Sequence, residues 1–153
     1  MNQILLVASI FATGLLTGAN LDICAKQLPS RHKLGINSYV QFINKADLGV
    51  GKILYALVGI GSTLLIIMTT IIFFIENPQL TISNIPLIIA AILTLIHLFC
   101  TIKSVPLMLS IESISDNKDL LEYTISRYEK WQRSKLITQT FIFVCLLLFL
   151  LYY

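Results

Sequence analysis

Charge is what this sequence has least of. Asp, Glu, Lys and Arg make up 12% of its 153 residues, against roughly 25% in a soluble globular domain. Hydrophobic residues reach 56% and the mean hydropathy is +0.83, which excludes a water-soluble fold and points to an integral membrane protein. The eight acidic residues all avoid the middle of the apolar runs, which excludes a small proton-coupled multidrug exporter, since that mechanism needs a carboxylate at depth. Cysteine is scarce too. Cys24, Cys100 and Cys145 form no C-x-x-C pair, which excludes a disulfide framework and the dithiol of a quinone or vitamin K reductase. With only two histidines, His32 and His97, there is no paired set at membrane depth for a b-type haem.

What is present is four runs long enough to cross a hydrocarbon core of about 30 Å, which takes roughly 20 residues of helix. They span residues 4–21, 54–75, 85–102 and 136–153. The first is the weakest, diluted by Asn20 and two glycines. Its small residues Thr17, Gly18 and Ala19 resemble a signal-peptide cleavage site, but no Lys or Arg precedes the run as a signal would require. The expectation is therefore an all-α integral membrane protein, one domain over residues 1–153, built as a four-helix transmembrane bundle. Gly14 and Gly18 have the spacing of a close helix contact, within the bundle or with a second copy in an oligomer.

All eleven basic residues lie in the first and third connections and the helix ends that flank them; the N-terminus, residues 76–84 and the C-terminus have none. Retained basic residues mark the cytoplasmic side, so the chain is expected to be multi-pass in the plasma or bacterial inner membrane with both termini outside the cytoplasm. Tyr152 and Tyr153 then suit the outer interface, Tyr128 and Trp131 the inner one. The net charge of +3 matches anionic inner-leaflet lipid and calls for no nucleic-acid partner.

Two cytoplasmic segments have amphipathic patterns and are expected as interfacial helices. Residues 115–132 begin at a cap, Ser115 or Asp116, and set Leu121, Ile125 and Tyr128 on one stripe; this helix lies on the membrane or rises straight into span four. Glu129 and Arg133 have the spacing of an ion pair. Residues 30–46 offer Leu34, Tyr39, Phe42 and Ile43 as apolar anchors, and Gly49 and Gly51 allow a turn into span two.

The conspicuous residue inside a span is His97. At 1.5 Å per residue it lies about 9 Å from the cytoplasmic end of span three, level with Tyr55, Gln139 and, nearer the interface, Asn20. An intramembrane ionisable group must be satisfied. Three readings stay open: an interhelical tie to Tyr55 or Gln139; a pocket for a small apolar aromatic molecule with His97 as its base; or a metal or haem ligand with Cys100, for which two ligands are too few.

The stretches "RHKLGINSYVQFINKADLGVGKILYALVGIGS", "IHLFCTIKSVPLMLSI" and "SRYEKWQRSKLITQTFIF" resemble the anthrone oxygenase-like family of small four-span membrane proteins, over roughly residues 10–150. Lys135 stands where that family more usually has Arg. The resemblance implies oxidation of a polycyclic phenolic anthrone to a quinone by O₂ with no metal, flavin or other cofactor. It also implies His97 and Trp131 as catalytic residues, with Asn37 or Gln139 a weaker hydrogen-bonding candidate; Tyr55 and Asn20 join the expected substrate-binding set from their depth alone. The chemistry asks little of a protein, because an electron-rich carbanion reduces O₂ itself once a base has removed the proton. The competing expectation is a non-catalytic membrane component whose His97 layer only packs the bundle or a partner protein.

Overall fold

The computed structural model describes residues 3–152, apart from the side chains of residues 31, 46, 47, 50 and 52. Tyr153, assigned above to span four and the outer interface, lies outside the described residues. The elements are α1 (Gln3–Asp22), a wider π turn (Ile23–Gln27), α2 (Leu28–Lys33), α3 (Ile36–Phe42), a second π stretch (Ile43–Val50), α4 (Gly51–Glu76), a short 3₁₀ turn (Ile82–Asn84), α5 (Ile85–Ser110) and α6 (Lys118–Tyr152). There is no strand among the described residues. Four helical stretches are long and apolar enough to cross a membrane. The protein is an all-α, polytopic membrane protein.

The long helices form a ring: α1 packs on α4 and α6, and α5 on α4 and, most extensively, α6. α1 is fully part of the bundle, burying Leu6, Ser9, Thr13, Leu16 and Asn20 at a spacing of three and four residues and so keeping one face inward. Ser9 Oγ meets Thr69 Oγ1 of α4 at 2.7 Å. A Cβ at Gly14 would stand 3.1 Å from Phe143 Cε2 of α6, whereas one at Gly18 would meet nothing. Gly14 therefore serves packing inside the ring, and Gly18 faces outward.

Three helices run beyond their sequence-defined limits. α5 continues past Ile102 to Ser110 with Pro106 inside it; Pro removes one backbone donor, a loss that membrane helices tolerate where neighbours re-satisfy the freed carbonyl. Span one runs on through the π turn towards Lys33. The expected interfacial helix at 115–132 and span four are one helix of 35 residues, roughly 52 Å long and well over the hydrocarbon thickness. Its cap is Asn117 rather than Ser115 or Asp116: Leu120 N–H donates to Asn117 Oδ1 at 3.1 Å.

The apolar stripe of residues 115–132 packs against protein. Leu121, Ile125 and Tyr128 are buried; Leu121 and Ile125 join Tyr39, Val40, Ile43 and Ile111 in an inner core. The segment expected as one interfacial helix over 30–46 is two short helices broken at Gly35, whose φ of +77° favours glycine. Of its four expected anchors, Tyr39 and Ile43 point into the protein and Leu34 and Phe42 outward. A second core lies where α1 starts and α6 ends, the end termed outer, opposite the inner core; it contains Leu6, Ile66, Phe73, Leu87, Ala90, Ile142, Leu146 and Phe149. Its Phe73 and Phe149 rings meet edge to face at 5.1 Å, a favoured arrangement for two ring quadrupoles.

Candidate functional site

His97 lies on the buried face of α5 and is 7% exposed. Its Nδ1 stands 3.4 Å from Thr138 Oγ1 of α6, a long contact. Thr138 Oγ1 also lies within donating reach of the Ser134 and Lys135 carbonyls. The partner across the helices is thus Thr138, one residue before the expected Gln139. Gln139 turns to α1, where its Nε2 donates to the Thr13 carbonyl at 3.4 Å, and Thr17 Oγ1 reaches the Gln139 carbonyl at 3.5 Å. His97 and Gln139 share a level of the bundle but serve different helix seams.

The other sequence candidates are dispersed. Trp131 packs edge-on to Phe99 at 5.9 Å, and Lys103 Nζ lies 5.5 Å from the same Phe99 ring, an aromatic and cationic group suited to the membrane interface. It is seven residues from Thr138, about 10 Å along α6. Tyr55 is partly buried on α4 and Asn37 is exposed on α3. Asn20 is 5% exposed, and its Nδ2 has no hydrogen-bond partner. Among the described residues no group of three His, Cys, Asp or Glu side chains comes together to hold a metal.

A different cluster is assembled at the inner end. Glu129 is 6% exposed although it carries a carboxylate. Tyr39 Oη donates to its Oε1 at 3.0 Å, and His32 Nε2 stands 3.0 Å from both carboxylate oxygens. An ionised carboxylate only accepts, so the His32 tautomer that satisfies it carries its proton on Nε2. The expected Glu129–Arg133 pair is thereby replaced by partners from α2 and α3. Burying a carboxylate costs several kcal/mol unless it is hydrogen-bonded, and two donors meet that need here. His32 remains open to solvent, with 59% of its side chain exposed.

These residues form the wall of a cavity of ≈ 370 Å³, with Gly35, Ile36, Glu122, Ile125 and Ser126 completing the lining. Its wall combines the apolar Ile36 and Ile125 with the polar His32, Tyr39, Glu122, Ser126 and Glu129. A second cavity of ≈ 450 Å³ lies at the opposite end, between Phe73, Glu76, Asn84, Phe149 and Tyr152. Neither is lined by His97, Trp131, Tyr55, Asn37, Asn20 or Gln139.

Sequence reasoning gave His32 no role beyond the missing haem pair and treated Glu129 as one half of a helix ion pair. A signal was available: Glu129 lies four residues after Ile125, on the stripe that Leu121, Ile125 and Tyr128 define, and a carboxylate on a buried stripe needs a partner. No family model, curated protein or solved structure matches the chain.

Proposed function

We propose that this protein binds a small amphiphilic, weakly acidic molecule at the cytoplasmic membrane interface and uses Glu129 to take a proton from it. The carrying observation is a carboxylate that is 6% exposed and held by Tyr39 and His32 on the wall of the inner cavity. Tyr39 and His32 fix the carboxylate as donors, and the proton that Glu129 takes passes to water at the mouth of the cavity while His32 keeps its own on Nε2. Ile36 and Ile125 offer the apolar surface for a ring system.

The resemblance to the anthrone oxygenase-like family suggests a polycyclic phenol as that molecule. Removal of one proton by Glu129 would give the anthrone carbanion, which passes electrons to O₂; one anthrone and one O₂ yield one quinone and one water. In this reading His97 has no chemical step and ties α5 to α6, while Trp131 anchors α6 at the interface. The basic residues between spans support an inner end facing the cytoplasm, with both termini outside, in a plasma or bacterial inner membrane. Gly18, which faces outward, is the position left for contact with a second copy.

The test is O₂ uptake and quinone absorbance with an anthrone supplied to the full-length protein in mild detergent. Wild type and His97→Gln are expected to turn over, and Glu129→Gln to lose activity while remaining folded. Unchanged turnover in Glu129→Gln would end the proposal. A wild type that neither retains nor converts the compound would favour the second reading, in which the complete pairing of Glu129 makes the cluster a tie between α2, α3 and α6.

A further inference from the structure

Six residues farther along α6 from Glu129 is Lys135, about 9 Å deeper into the bundle. It is partly buried, and among the described residues no carboxylate pairs with it. It lies within electrostatic reach of Cys24 on the π turn and of His97 and Cys100 on α5. A lysine inside a helix ring without a counter-ion is unusual, because desolvation is then uncompensated.

The seam between α1 and α6 supplies a second, independent observation. The chains run antiparallel there, and two contacts fix their register: Thr17 reaches the Gln139 carbonyl, and Cys24 Sγ reaches the Gln132 carbonyl at 3.5 Å. Midway between these contacts Asn20 falls opposite residues 135 and 136. Asn20 is 5% exposed and its Nδ2 donates to nothing. One turn inward Gln132, also 5% exposed, has an Oε1 that accepts from nothing. The Gln132 amide donates to Tyr128 Oη at 2.7 Å, so only its oxygen is left over; buried polar atoms are almost always satisfied, and two orphan atoms on residues within one turn of the level of Lys135 point to a missing partner. The orphan donor and the cation call for oxyanion oxygens; the orphan acceptor calls for a hydroxyl on the same group.

We propose that Lys135 and Asn20 form an oxyanion-binding site between α1, α5 and α6, with Gln132 accepting from a hydroxyl of the bound group. Such a group is the carboxyl or phosphate head of an anionic amphiphile reaching in from the inner leaflet, or a free inorganic oxyanion. The depth, about one to two turns inside the cytoplasmic boundary, is where a lysine stem places its charge near the head-group level. The site is separate from the Glu129 cavity and owes nothing to the acid–base reading.

Thermal unfolding of the full-length protein in a neutral detergent tests it, with three probes added in turn: inorganic phosphate, oleate and dioleoyl phosphatidic acid, each against a neutral monoacylglycerol control. Wild type should gain several degrees with at least one anionic probe. Lys135→Met, which keeps the stem, should lose that gain, and Lys135→Arg should keep it. Asn20→Leu should need at least fivefold more probe for the same shift, and Ser9→Ala, at the far end of α1, should respond as wild type does. A response to phosphate assigns a soluble oxyanion; a response to oleate or phosphatidic acid alone assigns a membrane amphiphile. No anion-specific gain in wild type, or equal gains in wild type and Lys135→Met, overturns the proposal. Should Lys135→Met not fold, loss of the gain in Asn20→Leu with its retention in Lys135→Arg decides in favour, and equal responses in all three decide against.

Discussion

The two halves of this bundle are built by different rules. The outer half is nearly all hydrocarbon, with Leu6, Phe73, Leu87, Leu146 and Phe149 in one core and the Ser9–Thr69 hydroxyl contact as its inward limit. The inner half buries Glu129, Gln132, Gln139, His97 and Asn20. In lipid the hydrophobic effect does not drive helices together, so the outer half depends on shape and dispersion. The inner half depends on satisfying polar groups, and it does so incompletely, leaving Asn20 Nδ2 and Gln132 Oε1 without partners.

The contrast can be broken most forcefully at Phe149. Phe149→Ala removes a ring that is 1% exposed and stacked edge-on to Phe73. Its unfolding free energy is expected to fall by about 2–3 kcal/mol, the cavity part of the loss seen in soluble cores, because the side chain meets lipid rather than water when helices part. Steric trapping or denaturant titration in detergent measures it; a loss under about 0.5 kcal/mol would mean that the outer core is loosely packed.

Next in size is Glu129→Ala, which leaves Tyr39 Oη without its acceptor. A cost of about 1–3 kcal/mol is expected, with faster protease cleavage near Gly35 as α2 and α3 detach. Glu129→Gln should recover most of it, since an amide oxygen still accepts from Tyr39. Equal destabilisation by both variants would show that the negative charge itself, through His32, holds the helices.

Smaller effects separate the two seams that sequence reasoning joined. Ser9→Ala should cost about 0.6 kcal/mol, the average for an interhelical hydrogen bond in a membrane. His97→Gln should cost no more than that, because the Thr138 contact it replaces is already long at 3.4 Å. A loss above about 2 kcal/mol in His97→Gln, read in the same unfolding assay, would restore the histidine as the organising residue of the inner half.

The four spans were legible because length and composition decide them, and neither depends on distant contacts. The continuity of α6 was only half legible. The stripe Leu121, Ile125 and Tyr128 fits a helix lying on lipid as well as one packed on protein, and only the fold of residues 36–50 decides between them. A rise per residue gives a level but not a face, so depth reasoning could not separate His97, which turns to Thr138, from Gln139, which turns to α1. The Glu129 cluster was hardest, since its histidine comes from a position 97 residues away, beyond a π turn that rotates the end of α1. Helical periodicity does not follow a chain through such a turn.

The order in which the helices are made has a consequence for biogenesis. α6 is synthesised after the helices it ties, and it carries one partner of several polar contacts: Glu129 for Tyr39 and His32, Thr138 for His97, Gln139 for Thr13. Until it inserts, α1, α2, α3 and α5 hold these donors and acceptors without their mates. A chain truncated before Lys118 is therefore expected to lack the contacts that hold α2 and α3 to the bundle. Docking of α6 thus acts as the latch of the fold, and the truncated chain is expected to be cleared by membrane proteases faster than the full-length protein.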